Sequence, residues 1–211
     1  LLIRRQRQMC IRDRNHCYRA DEMANMIELS KEFDYKITAF HHAVEAYKIA
    51  DLLADEGICG ALWADWWGFK HEAYDMVPAN IAIVDQARSG KGCAIVHSDD
   101  EVGIQHLNQE AAKALSAGLR AGYEISKARA IKWITSNPAK AAGILDQTGT
   151  IEIGKDADLV IWSKNPFSVY ALAEYVFIDG AEAFVRGEKQ TQPVTDFDLG
   201  IINPSDERAS L

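Results

Sequence analysis

No run of the 211 residues approaches the ~20 consecutive apolar side chains that a membrane-spanning helix needs; the longest apolar stretches, such as Ile81 to Val84, end after a few residues. No membrane partner is expected. Cysteine is scarce. Cys10, Cys17, Cys59 and Cys93 include no Cys-x-x-Cys pair, so no redox compartment can be read from them. Cys59 and Cys93 sit in apolar, strand-like runs and are expected to be buried structural thiols. There is no internal repeat and no low-complexity tract. What remains is the composition of a soluble globular protein of one or two domains, 48% hydrophobic and 26% charged. Composition does not choose between a cytoplasmic and a secreted or periplasmic location, nor does it set an oligomeric state.

Negative charge predominates, but unevenly. The net charge is −8, yet the first fourteen residues carry five Arg against one Asp, leaving −12 on the other 197 residues. A basic arm on an acidic body is one pattern of a nucleic-acid binder. The arm LLIRRQRQMCIRDR, however, has no apolar period, cap or turn signal, and MCIRDR resembles translated sequencing-adaptor read-through. Residues 1–14 are therefore read as a non-native arm and set aside, with no nucleic-acid partner expected. On that reading a native portion upstream of Asn15 is missing.

Between Asn15 and about residue 145, short apolar runs alternate with amphipathic stretches. Met23, Met26, Ile27 and Phe33 have helical spacing, as do Ala46, Ile49, Ala50 and Leu53, and a further helix is expected from Pro78 to Arg88. Tyr35 to Phe40, Ile58 to Trp63 and Cys93 to His97 read as strands. This alternation predicts successive βα units around a parallel sheet. Two more helical stretches follow, one carrying Leu107, Ala111, Ala114 and Leu115, the other running from Ser126 to Ala142 with a break at Pro138. From 146 to 190 short strands separated by Gly, Asp and Asn-Pro predict a small β-module: Ala157 to Trp162, Glu174 to Ile178 and Ala183 to Val185. Residues 191–211 read as a loose tail.

In parallel βα folds the chemistry gathers where strands end. His16 in NHCYRADEM, His42 in FHHAVEAYK and Asp99 in VHSDDE all fall there. Two imidazoles and a carboxylate suit a divalent zinc-type ion, which would acidify water towards a pKa of about 7. Asp99 would then shuttle the proton to a leaving nitrogen. Taken singly, His16 and His42 serve equally well as caps or surface groups, and Asp99 with Asp100 as an N-cap pair. Joint placement at equivalent strand ends is what favours a metal site.

The ordered blocks HCYRADEM, FHHAVEAYK, VHSDDE, TSNPAKAAGI and GTIEIGKDADLVIW with YVFIDG resemble the imidazolonepropionase-like branch of the amidohydrolase superfamily, over about 15–187. The resemblance implies a partial (β/α)₈ barrel, strands five to eight over 15–145, followed by part of a composite β-sandwich. It also implies metal ligands at His16, His42 and Asp99, with Asp99 the proton shuttle, and one or two ions, most simply zinc. His41 is expected to face away from them, since alternate strand residues point to opposite sides. His97, two residues before Asp99, supports from behind or is structural. Such enzymes open on a His-x-His pair on strand one, and two-metal members add a strand-four Lys. Neither can be assigned here.

The loop WADWWGFKHEAYDMVP either walls a substrate or closes the barrel edge. Trp66 and Trp67 are favoured as mouth residues, with Lys70 pairing a substrate carboxylate. The expected function is metal-dependent hydrolysis of a C–N bond in a small cyclic amide or peptide-like amide, the 211 residues alone being inactive. An Xaa-Pro-type dipeptidase of the same superfamily, or a non-catalytic βα scaffold, are the alternatives.

Overall fold

The computed structural model describes residues 12–187. Four strands, β1 (Asp13–Cys17), β2 (Ile37–His42), β3 (Cys59–Leu62) and β4 (Cys93–Val96), form one parallel sheet in the order β1-β2-β3-β4. They are joined by α1 (Ala20–Glu32), α2 (Ala50–Glu56) and α3 (Asn80–Gly90) and followed by α4 (Leu107–Arg120), α5 (Lys127–Ala130) and α6 (Ser136–Ala142). The chain then forms a separate antiparallel sheet, β5 (Leu159–Trp162), β6 (Ala173–Ile178) and β7 (Ala181–Val185). Strands alternating with helices, then a β-module, is the order read from the sequence.

β3 and β4 are buried at every residue, as parallel strands covered on both faces must be. One face packs Phe40, Leu62, Ala94 and Val96 against Met23, Ile27, Leu53, Ile81, Val84 and Trp133 from the helices. The other face carries the small side chains of Ala39, Cys59, Ala61 and Cys93, with Ala141 of α6 laid against them. Burying Trp133, Phe40 and Met23 alone is worth several kcal/mol at about 25 cal/mol per Å². Gly118 lets α4 approach α3 closely: a Cβ there would lie 2.5 Å from the Cβ of Ala82.

Beneath the sheet, Asp85 of α3 is fully buried and collects Arg129 Nε at 2.9 Å, Trp133 Nε1 at 2.9 Å and Gln86 Nε2 at 2.6 Å. Arg129 also donates to the Gly90 carbonyl at 2.7 Å. This network ties α5 and the turn after it to α3 just before β4 begins.

Several boundaries differ from the sequence reading. β1 starts at Asp13, so Asp13 and Arg14 of the segment set aside as an arm pair with Ile37 and Ala39 of β2; backbone hydrogen bonding, indifferent to side-chain pattern, decides this. Residues 1–11 lie outside the described residues, as does everything beyond 187, including the tail. The helical stretch from Ser126 breaks at Thr135 (φ −131°, ψ −90°), not at Pro138. Pro138 instead occupies the first turn of α6, where its missing N–H costs nothing. Cys59 and Cys93 are not free thiols. The parallel register sets them opposite each other, with Cα atoms 4.5 Å apart, and they form a disulfide. Cys17 is buried and free. Among the described residues no helix is long and apolar enough to cross a membrane.

Candidate active site

His16 is the fourth residue of β1 and pairs in register with His41, while Cys17 pairs with His42. Strict alternation would send the rings of His41 and His42 to opposite sides of the sheet. It is broken because His42 adopts φ +64° and Ala43 φ +41°, left-handed values that end the strand abruptly. Asp99, just past β4, has φ +54°. Each such residue costs roughly 1–3 kcal/mol, and such strain concentrates where a site must be shaped.

The bend brings the imidazoles together. His16 Nδ1 lies 2.8 Å from His42 Nε2, within hydrogen-bond distance, and His42 Nδ1 faces Asp99 Oδ2 at 3.5 Å, a charge contact longer than a hydrogen bond. His41 stacks on His16 with centroids 5.0 Å apart and meets His97 edge-on at 5.6 Å; His42 and His97 are 5.4 Å apart. His41 therefore does not face away, correcting the expectation from alternation. Its place in the cluster was the residue missed, and the signal available was the doubled His at a strand end.

Burial sets the protonation of this cluster. His42 and His97 are pushed down to about 4, first by burial and, for His97, next by the neighbouring imidazoles. The Asp99 carboxylate opposes both shifts without cancelling them. His41 is also lowered, chiefly by burial and by His16. His42 and His97 are thus neutral at pH 7, the form of imidazole that binds metal. Among the described residues, the buried His42 Nδ1 and His97 Nε2 have no hydrogen-bond partner.

Asp99 and Asp100 divide the labour that the sequence left open. Asp100 Oδ2 accepts from the Gly103 N–H at the start of the 3₁₀ turn Gly103–His106. Asp99 is left half-exposed beside His42.

The loop after β3 supplies a wall, although not the expected one. Trp63, at the end of β3, is buried and packs at 4.7 Å from His42 and 5.8 Å from His97, with Trp66 stacked on it at 5.5 Å. Trp67 turns outward instead: it is 59% exposed, and its ring neighbour is Tyr74 at 5.8 Å. Two adjacent loop residues cannot both face the cluster when the first is held by stacking. Tyr18, just past β1, stacks on His42 at 4.8 Å, and Lys70 Nζ sits 4.1 Å above the Tyr18 ring and touches its hydroxyl. Tyr18 was not singled out from sequence, and Trp63 entered there as one of the aromatics of the loop WADWWGFKHEAYDMVP.

Among the described residues no three ligand groups converge in the geometry of a ready metal site. His42 instead lies between its neighbours, with Nε2 towards His16 and Nδ1 towards Asp99.

A model of the amidohydrolase family matches residues 80–193, more than half of the chain. Amidohydrolase tasK of Hapsidospora irregularis is 34% identical over 197 residues, covering 86% of this chain and 19% of that protein. Imidazolonepropionase of Brucella suis is 55% identical over 40 residues only, 19% of this chain and 10% of that enzyme. The crystal structure of an amidohydrolase from Thermotoga maritima superposes with a TM-score of 0.73 at 33% identity, covering 83% of this chain and 44% of that one. The chain spans less than half the length of each.

Proposed function

The chain belongs to the amidohydrolase family, and we propose that it carries the carboxy-terminal half of a metal-dependent (β/α)₈ hydrolase that cleaves C–N bonds. On this reading β1 to β4 are barrel strands five to eight, and β5 to β7 are part of a composite β-sandwich. The observation that supports the proposal is the contact of His42 with His16 on one side and Asp99 on the other, at the carboxyl ends of three of four parallel strands.

The donor chemistry fits a divalent ion of the zinc type. Imidazoles held neutral by burial, two of them with unpartnered nitrogens, and an adjacent carboxylate are what such an ion binds. His16, His42 and Asp99 would hold it, and one or two ions are compatible with this set. The ion supplies Lewis acidity that activates water at neutral pH. Asp99, half-exposed, takes the proton from the attacking water and passes it to the leaving nitrogen. His97 and His41 pack around His42 and keep water from its buried face. Trp66 and Trp63 wall the mouth on one side.

Lys70 favours a substrate bearing a carboxylate. Its ammonium is held over Tyr18, which itself stacks on His42, so a negative group bound there lies next to the reacting centre. A small cyclic amide with a carboxylate side chain, as in the imidazolonepropionase-like branch, and a dipeptide, as in an Xaa-Pro-type dipeptidase, both satisfy this. The chain spans less than half the length of these relatives, and by itself it is expected to be inactive.

Metal analysis is the direct test. Stoichiometric zinc in the chain joined to its upstream sequence, lost on His16→Ala, supports the proposal. Absence of metal at any added concentration would instead make the βα unit a non-catalytic scaffold.

A further inference from the structure

His42 owes its orientation to a bend that L-residues disfavour, since both His42 and Ala43 have positive φ. A buried bend of this kind has to be held by its surroundings, and its carbonyls need donors. Part of the support comes from β1: Ala43 N–H donates to the Cys17 carbonyl at 2.8 Å, and Glu45 N–H to the Tyr18 carbonyl at 3.0 Å. The Ala43 carbonyl also accepts from the Ala46 N–H at 2.9 Å, and a further part comes from one side chain far away in sequence. Asn80, the first residue of α3, is 2% exposed, and its Nδ2 donates to the Ala43 carbonyl and to the Val44 carbonyl, both at 3.1 Å.

We propose that Asn80 is the positioning residue of His42, clamping the Ala43–Val44 segment so that His42 Nε2 faces His16. The geometry admits no simple substitute. The two carbonyls point at one amide nitrogen, which offers two N–H groups, whereas a carboxylate or hydroxyl of similar size offers at most one. The amide orientation is set by the same contacts, because the opposite flip would place Oδ1 against both carbonyl oxygens. Asn80 does not touch the imidazoles; it acts through the backbone on which His42 sits. The functional meaning of this inference rests on His42 belonging to the proposed site, while the geometry it predicts does not.

The test uses the full 211-residue chain without added metal and reads the imidazole nitrogens by long-range proton–nitrogen correlation. In the unsubstituted chain the His16–His42 hydrogen bond gives a slowly exchanging ring N–H. Asn80→Ala is expected to lose that signal, with the backbone spectrum of β5 to β7 unchanged. Adding Ala43→Gly is expected to restore it, because glycine takes positive φ without strain and no longer needs the clamp. Retention of the signal in Asn80→Ala overturns the proposal. So does failure of Ala43→Gly to restore it, which would make Asn80 a packing residue of α3. Should Asn80→Ala alone not fold, the double variant decides: recovery of folding and of the ring signal supports the clamp, and continued unfolding overturns it. Failure of zinc to bind the chain joined to its upstream sequence would sink the functional proposal and leave this result standing.

Discussion

His16 Nδ1 and His42 Nε2 stand 2.8 Å apart although 26 residues separate them, and the far nitrogen of His42 looks towards Asp99 at 3.5 Å. Three strand ends are thereby linked through one ring. One nitrogen of His42 is within hydrogen-bond distance of His16, and the other faces the Asp99 carboxylate beyond hydrogen-bond distance. Binding an ion between His16 and His42 replaces their mutual hydrogen bond, so metal uptake and the His16–His42 contact are expected to be mutually exclusive.

In the proposed function Asp99 carries the proton-transfer role. In the protein joined to its upstream sequence, Asp99→Asn keeps the shape and removes the acceptor charge, and kcat is expected to fall by roughly 10²–10⁴. The matching change Asp100→Asn, at the residue that accepts from the Gly103 N–H, should reduce stability slightly and leave kcat within a few-fold. A larger kcat loss at Asp100 than at Asp99 would reverse the assignment.

Lys70 separates substrates by charge. Lys70→Ala is expected to weaken kcat/KM for carboxylate-bearing amides by about 10–100-fold, the value of one charge-assisted hydrogen bond, ~1.5–3 kcal/mol. Uncharged amides should be affected little. Equal losses for both classes would mean that Lys70 serves only to hold Tyr18.

The Asp85 network is a stability feature away from the mouth. Asp85→Ala leaves Arg129 and Trp133 Nε1 without their partner in a buried setting, which costs roughly 3–5 kcal/mol. A urea or thermal midpoint measures this, at about 2–4 °C per kcal/mol for a domain of this size. A shift below 1 kcal/mol would show that the site relaxes or admits water.

The Cys59–Cys93 bond closes a loop across 34 residues between neighbouring strands. Under the chain-entropy account a crosslink of that span contributes about 3–4 kcal/mol, so reduction should lower the denaturant midpoint accordingly. Alkylation before and after reduction under denaturing conditions counts the two thiols. Two additional thiols labelled before reduction would show the strands unlinked.

The βα alternation, the strand ends and the standing of His16, His42 and Asp99 at or just past those ends were legible because each leaves a local trace. Helical spacing marks the helix faces, unbroken apolar runs mark buried parallel strands, and a His or Asp at the end of such a run marks the rim. The inward turn of His41 together with His42 was not legible, since it depends on backbone angles at His42 and Ala43 that no periodicity encodes. The outward turn of Trp67 was equally hidden, being decided by the stacking of Trp66 on Trp63. Cys59 and Cys93 looked like two solitary thiols because only strand register sets them opposite one another.

What the sequence determined by itself was therefore which side chains stand where: imidazoles and a carboxylate at the ends of parallel strands, beside an aromatic loop. Tertiary structure alone decided the mutual orientation of those groups. It did so through contacts between residues dozens of positions apart, Asn80 on the His42 bend, Tyr18 and Trp63 on the His42 ring, and Arg129 on Asp85. Side-chain type is a local property, whereas convergence is a property of how the strands are laid side by side.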